Sequence, residues 1–298
     1  MQETLKHLKT YLTFRHVAIG LFVAIPLLVT LMSFITDWSG ETTKLGAASY
    51  RLDSTRERCA QGSRSGNAGG SDGESTLEGI KFNVRTPQNY DPTVAHPLLM
   101  VYSPASKNRT GTEKMTGLTF EATTAGFIVA YADHPELSPT STIDLGTIPG
   151  LIAKKWCIDE QRVFLAGHSD GGTTAMALAF MAGTRHIPKA IAASAAGITR
   201  QDLYNRTCPD PLSVMIMHSA NDRLFPGYGV DAAGWWAACN QCDPIPEKLA
   251  NGCIAYTGCA KGVKTWYCEG RQPHSEWPGT NDALMNFLIS IGRAGEKP

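Results

Sequence analysis

The run Gly167-His168-Ser169-Asp170-Gly171-Gly172 constrains the fold of this chain more than any other stretch. Before it lies Arg162-Val163-Phe164-Leu165-Ala166, an apolar run of strand type, and after it residues 173–180 read as a helix. A strand that passes into a helix through so short a turn needs backbone angles and close approaches that glycine supplies. A serine at the centre of such a turn has its hydroxyl lifted out of the sheet. The pattern Gly-x-Ser-x-Gly between strand and helix therefore predicts an exposed serine at a sheet edge, and the alternative is an ordinary βα turn.

The flanking sequence repeats the same rhythm. Residues 80–85, 98–103, 127–131, 163–166, 189–194, 213–218 and 263–268 read as strands, and 114–125, 145–155, 230–238 and 282–291 as helices. Continuous apolar strands separated by helices predict a mostly parallel, doubly wound α/β sheet covered on both faces. Ligands in such sheets bind beyond the carboxyl ends of the strands, where Ser169 lies. The expected domain runs from 80 to 298. The polar stretch 37–79, with a glycine- and serine-rich run at 61–73, is expected to be a flexible loop or linker, with Cys59 as a candidate tie to the domain.

The N-terminus differs in kind. Residues 17–36 contain no charged side chain, and about 20 such residues span a bilayer. Lys6, Lys9 and Arg15 precede the run, and Asp37 and Glu41 follow it. This predicts a cytoplasmic segment 1–16, a signal anchor at 17–36 and a catalytic domain outside the cytoplasm, with the membrane as a partner. The alternative is a cleaved signal peptide and secretion, although its apolar core would be shorter.

Eight cysteines agree with export: Cys59, Cys157, Cys208, Cys239, Cys242, Cys253, Cys259 and Cys268. An even count in an exported chain predicts disulfides, with the pairing open. A zinc or redox role for Cys239-x-x-Cys242 is the alternative; a second Cys-x-x-Cys at knuckle spacing is missing. Lys and Arg together number 27, as do Asp and Glu, so charge gives no reason to expect nucleic acid as a partner.

A serine hydroxyl is a weak nucleophile and needs a base, which in turn needs an acid to orient it. On an α/β-hydrolase sheet these follow the serine in the order acid, then histidine. His186, His218 and His274 follow Ser169. His274, in a loop between the last strand and last helix, is the expected base, with His218 and His186 as alternatives. Asp222, after the strand 213–218, is the expected acid. The expected oxyanion donors are the amides of Asp170 and of Ala105, since Pro104 has no N–H. The Asp170 carboxylate is expected to point away from the developing charge.

Together these residues resemble the polyhydroxybutyrate depolymerase and feruloyl esterase group of the α/β-hydrolase superfamily. The resemblance covers about residues 80–292. It rests on Ile158-Asp159-Glu160-Gln161-Arg162-Val163 leading into the Ser169 turn, the Asp222 loop, and His274-x-x-Trp277-Pro278-Gly279. Members of that group carry His-Gly where this chain has Ser103-Pro104, and one residue fewer between the histidine and the tryptophan. The resemblance implies hydrolysis of carboxylic esters without metal or organic cofactor, on small or polymeric substrates. Trp277 is expected to contact that substrate. A catalytically inactive surface binding protein and a peptidase of the same fold are the alternatives.

Overall fold

The computed structural model describes residues 43–48 and 58–291. The expected segments 1–16 and 17–36 lie outside the described residues, as do parts of 37–79 and the last seven residues.

Among the described residues ten strands form one sheet: β1 (Ser71–Ser75), β2 (Lys81–Arg85), β3 (His96–Tyr102), β4 (Ile128–Ala132), β5 (Ile158–His168), β6 (Ala190–Ser194), β7 (Ser213–Ser219), β8 (Glu247–Lys248), β9 (Ile254–Tyr256) and β10 (Thr265–Gly270). Their order is β1-β2-β4-β3-β5-β6-β7-β10-β9-β8. The six central strands, from β4 to β10, are parallel. Antiparallel strands flank them at both sides.

Alternation along each strand assigns side chains to the two faces. Leu98, Met100 and Tyr102 of β3 join a cluster with Leu165, Ile191, Val214 and Ile216. Leu99 and Val101 join a second cluster with Phe164, Ala166, Ala192, Met215 and Met217. Two helices, α3 (Pro139–Lys155) and α4 (Asp170–Phe180), cover the first face with α5 (Arg200–Tyr204) and α6 (Tyr228–Cys239). The second face is covered by α2 (Leu118–Thr124) and α7 (Asn281–Ile289). The short α1 (Arg109–Thr116) precedes α2. Helices on both faces of a parallel sheet require strands apolar on both sides, and β3 is buried along its whole length.

Local signals set the helix ends. Ser138 and Ser141 form a reciprocal capping box at the start of α3, with Pro139 in its first turn and Lys154 and Lys155 in its last. The single helix expected over 114–125 is two, broken at Gly117, whose φ of 62° ends α1.

The described part of 37–79 departs from the flexible linker that its composition suggested. β1 pairs with β2, Cys59 is disulfide-bonded to Cys157, and Gly66 N–H donates to the Lys155 carbonyl at 2.7 Å. The Trp156 indole donates to the Asn67 carbonyl at 3.2 Å, and Lys155 pairs with Glu74 at 2.6 Å. Main-chain bonds and a covalent tether hold this segment, and neither registers in a count of apolar side chains.

All eight cysteines are paired: Cys59–Cys157, Cys208–Cys239, Cys242–Cys259 and Cys253–Cys268. Cys239 and Cys242 bond to different partners, so the Cys-x-x-Cys spacing marks neither a thiolate metal site nor a redox pair.

Candidate active site

Ser169 sits between β5 and α4 with φ 53° and ψ −117°, a left-handed angle that a non-glycine residue adopts only when its surroundings enforce it. The enforcement is steric and local. A Cβ on Gly171 would stand 2.0 Å from the Tyr102 carbonyl oxygen of β3, and one on Gly167 would stand 2.3 Å from the Gly171 backbone. The elbow is thus packed backbone to backbone. Ser169 N–H donates to the Ser194 carbonyl of β6 at 2.9 Å, which closes the turn from the other side.

Asp222 and His274 are carried to Ser169 on the loops after β7 and β10. His274 Nε2 lies 2.9 Å from Ser169 Oγ, and His274 Nδ1 lies 2.7 Å from Asp222 Oδ2. With Nδ1–H donating to the carboxylate, Nε2 is left to accept from the serine hydroxyl. The other carboxylate oxygen, Oδ1, accepts from the amides of Leu224 and Phe225, each at 2.9 Å. Burial works against the Asp222 charge, but the His274 bond and these amides outweigh it and hold the carboxyl below its ordinary range. The Phe225 ring meets the His274 ring edge-on at 4.8 Å.

Of the other two histidines, His218 is buried. Its Nε2 lies 2.9 Å from the Phe225 carbonyl and 3.5 Å from Asp222 Oδ2. It supports the acid loop. His186 lines a cavity with Lys189, Asp210 and Ser213, at the opposite end of the sheet.

Of the two expected oxyanion donors, Asp170 directly follows Ser169 and Ala105 lies in the loop after β3. Asp170 opens α4, so its amide belongs to the first-turn donors that helical bonding leaves over. Its carboxylate bonds to His134 Nε2 at 2.9 Å, in the loop after β4. Ala105 lies in a turn after β3, closed by Lys107 N–H donating to the Pro104 carbonyl. That turn is anchored by Ser103, whose hydroxyl donates to the Ala132 carbonyl at 2.5 Å and accepts from Thr112 Oγ1 at 2.6 Å. Where the resembling group has His-Gly, this chain has a buried hydroxyl as a peg.

Trp277, the expected substrate contact, sits beneath the histidine loop. It is 6% exposed and packed in the second cluster, its indole N–H donates to Asn281 Oδ1 at 2.7 Å, and its ring lies 6.0 Å from that of His168.

Two residues escaped sequence reasoning. His134 is one. The other is His168, the first variable position of Gly-x-Ser-x-Gly: its Nε2 lies 2.6 Å from the His274 carbonyl, and its Nδ1 2.9 Å from Ser194 Oγ. Burial above all pushes the His168 imidazole down to about 4, so near neutrality it is uncharged. Its Nε2–H donates to the carbonyl, and its Nδ1 accepts from Ser194. His168 therefore fixes the main chain of His274, which it precedes by 106 residues. Its only sequence signal is its place beside the serine.

No protein-family model and no curated protein sequence matches the chain. Solved structures do. An acetyl xylan esterase from Aspergillus awamori superposes with a TM-score of 0.56 at 15% identity, over 76% of this chain and 100% of that one. A thermophilic esterase from the planctomycete Thermogutta terrifontis gives 0.52 at 12% identity, over 78% and 95%. A ferulic acid esterase from the anaerobic fungus Anaeromyces mucronatus gives 0.50 at 16% identity, over 80% and 97%. A parallel sheet in this strand order, a strained serine between β5 and α4, and neighbours of this kind identify the fold of the chain as that of the α/β-hydrolases.

Proposed function

We propose that the protein is an exported carboxylic-ester hydrolase acting through an acyl-enzyme on Ser169, with His274 as general base and acid and Asp222 as the orienting carboxylate. The observation that carries this reading is the unbroken chain of hydrogen bonds from Ser169 Oγ through His274 to Asp222. Four disulfides accord with an oxidising compartment outside the cytoplasm.

Ser169 Oγ attacks the ester carbonyl carbon as His274 Nε2 takes its proton. The carbonyl oxygen becomes an oxyanion, received by the amides of Asp170 and Ala105. The carbon–oxygen bond to the alcohol then breaks, and the alcohol leaves with the proton from His274. Water, deprotonated by the same imidazole, releases the acid and restores the serine. Asp222 holds the correct tautomer throughout and stabilises the imidazolium.

The preferred substrates in this reading are acetyl esters of xylan and esters of ferulic acid, the chemistries named for two of the structural neighbours. Hydroxyalkanoate esters are the second reading, resting on the resemblance that the His274-x-x-Trp277-Pro278-Gly279 ending carries for the group as a whole. Acetylated xylan, methyl ferulate and hydroxybutyrate oligomers assayed side by side test the choice. Labelling by a fluorophosphonate tests the nucleophile: wild-type protein is expected to be labelled and Ser169→Ala not. An unlabelled wild-type chain would point to a non-catalytic binding protein.

A further inference from the structure

Two arginines grow from the loops that carry the acid and the base. Arg223 follows Asp222 directly, and Arg271 precedes His274 by three residues. Both are exposed, and both line a groove of about 750 Å³ with Asn221, Leu224, Pro273 and His274. No carboxylate lines this groove; Glu276 of the same loop is exposed but stands outside it. Among the described residues neither arginine makes an ion pair, while Arg85, Arg109 and Arg162 each do.

Their backbones are fixed. The Arg271 carbonyl accepts from Asn221 Nδ2 at 2.5 Å, and its amide donates to Gln272 Oε1 at 2.9 Å. Arg223 lies inside the turn that Asp222 Oδ1 closes through the amides of Leu224 and Phe225. A chain with no net charge thus places two unneutralised guanidinium groups at one wall of its candidate site. A guanidinium fork matches a carboxylate in shape and charge.

We infer that this groove receives the alcohol half of the ester and that the alcohol carries a carboxylate. The inference rests on the esterase reading. It follows from position, since the groove borders His274, the group that hands its proton to the departing alcohol. Two kinds of molecule share this chemistry. One is a hydroxy acid, as in the free end of a hydroxyalkanoate oligomer, and the other is a uronic acid of a polysaccharide.

The experiment compares charged and neutral members of two matched pairs by acetate release. The first pair is 3-acetoxybutyrate and 3-acetoxybutyramide; the second is monoacetylated glucuronic acid and monoacetylated glucose. The full chain is used at constant pH, with p-nitrophenyl acetate as reference ester. The charged member is expected to show a kcat/KM roughly tenfold or more above its neutral partner, the size of a hydrogen bond to a charged group. This ratio should shrink as salt rises from 50 to 500 mM, because the groove is open to solvent. Arg223→Gln and Arg271→Gln should each pull the ratio towards one.

A preference in the first pair alone assigns the hydroxy acid, in the second alone the uronic acid, and in both the shared carboxylate. If p-nitrophenyl acetate is cleaved but no preference appears in either pair, or none of the four is cleaved, the inference is overturned and the esterase reading stands. If no ester is cleaved, that reading itself falls. The salt dependence of the wild-type ratio needs no variant, so a substitution that fails to fold leaves the test intact.

Discussion

The two halves of the candidate site are held in place by different forces. Around Ser169 the constraint is steric: strand β3, the elbow and helix α4 meet with no room for a single methyl group at Gly171. Around His274 the constraint is a set of directed hydrogen bonds: His168 and Asn221 donate to carbonyls of its loop, and His274 itself donates to Asp222. Steric exclusion fails all at once, whereas hydrogen bonds fail one at a time. Substitutions in the first half should be nearly all-or-none, and in the second half graded.

Gly171→Ala offers the sharpest way to break this contrast. The obstructing atom is a backbone carbonyl in the centre of the sheet, so relief requires moving β3 against the elbow. The expected cost is about 3 kcal/mol or more in unfolding free energy, with loss of hydrolysis, measured by denaturant titration and ester assay. A stable, active variant would show that the elbow has slack.

Asp222→Asn comes next. It keeps the shape but disfavours the tautomer of His274 that the proposed mechanism needs, and about 10⁴-fold should be lost from kcat with the fold retained. A loss of only a few-fold would transfer the orienting role to another group, and His218, 3.5 Å from the same oxygen, is the first to examine.

His168→Gln should cost less, roughly tenfold in kcat, since one buried hydrogen bond to the His274 carbonyl is disturbed. Its signature is in stability against pH. His168 is pushed down to about 4 from an ordinary value near 6.5. Between those values the unfolded chain therefore holds a proton that the folded chain refuses. Stability from this group is complete above pH 6.5, declines as pH falls towards 4, and changes no further below it. The decline is about 3 kcal/mol in the wild type. Unfolding midpoints at pH 7 and pH 5 should differ less in the variant; an equal difference would remove His168 as the cause.

His134→Ala is expected to have the smallest effect on activity. It frees the Asp170 carboxylate beside the serine, and a several-fold fall in kcat is expected. In an Asp170→Asn background that fall should vanish, because no charge remains to redirect. Additive losses in the double variant would show that the pair does no more than pack.

The steric half was legible in the sequence because its constraints are consecutive. Glycines two residues either side of Ser169, an apolar strand before and a helix after all lie within twenty positions. His274 and Asp222 were legible by chain order after particular strands. What stayed hidden was contact across the fold. Nothing local says that His168 reaches a carbonyl 106 residues away, or that His134 meets Asp170 from a neighbouring loop. For Trp277 a motif fixed the identity but not the surroundings: its bond to Asn281 and its burial are contacts the motif does not state. The segment around β1 was misread because polar residues that hydrogen-bond through the main chain look like disorder to composition alone.

The margins of the sheet carry a consequence for how the protein meets other chains. At one margin stands β1, Ser-Asp-Gly-Glu-Ser, whose register slips between Ser71 and Glu74. At the other stands β8, only Glu247 and Lys248, both exposed. Ten strands would otherwise end in two open ladders able to recruit further chains. Short, charged and irregular borders deny such a template a flat surface, so the sheet can grow wide without inviting its neighbours to extend it.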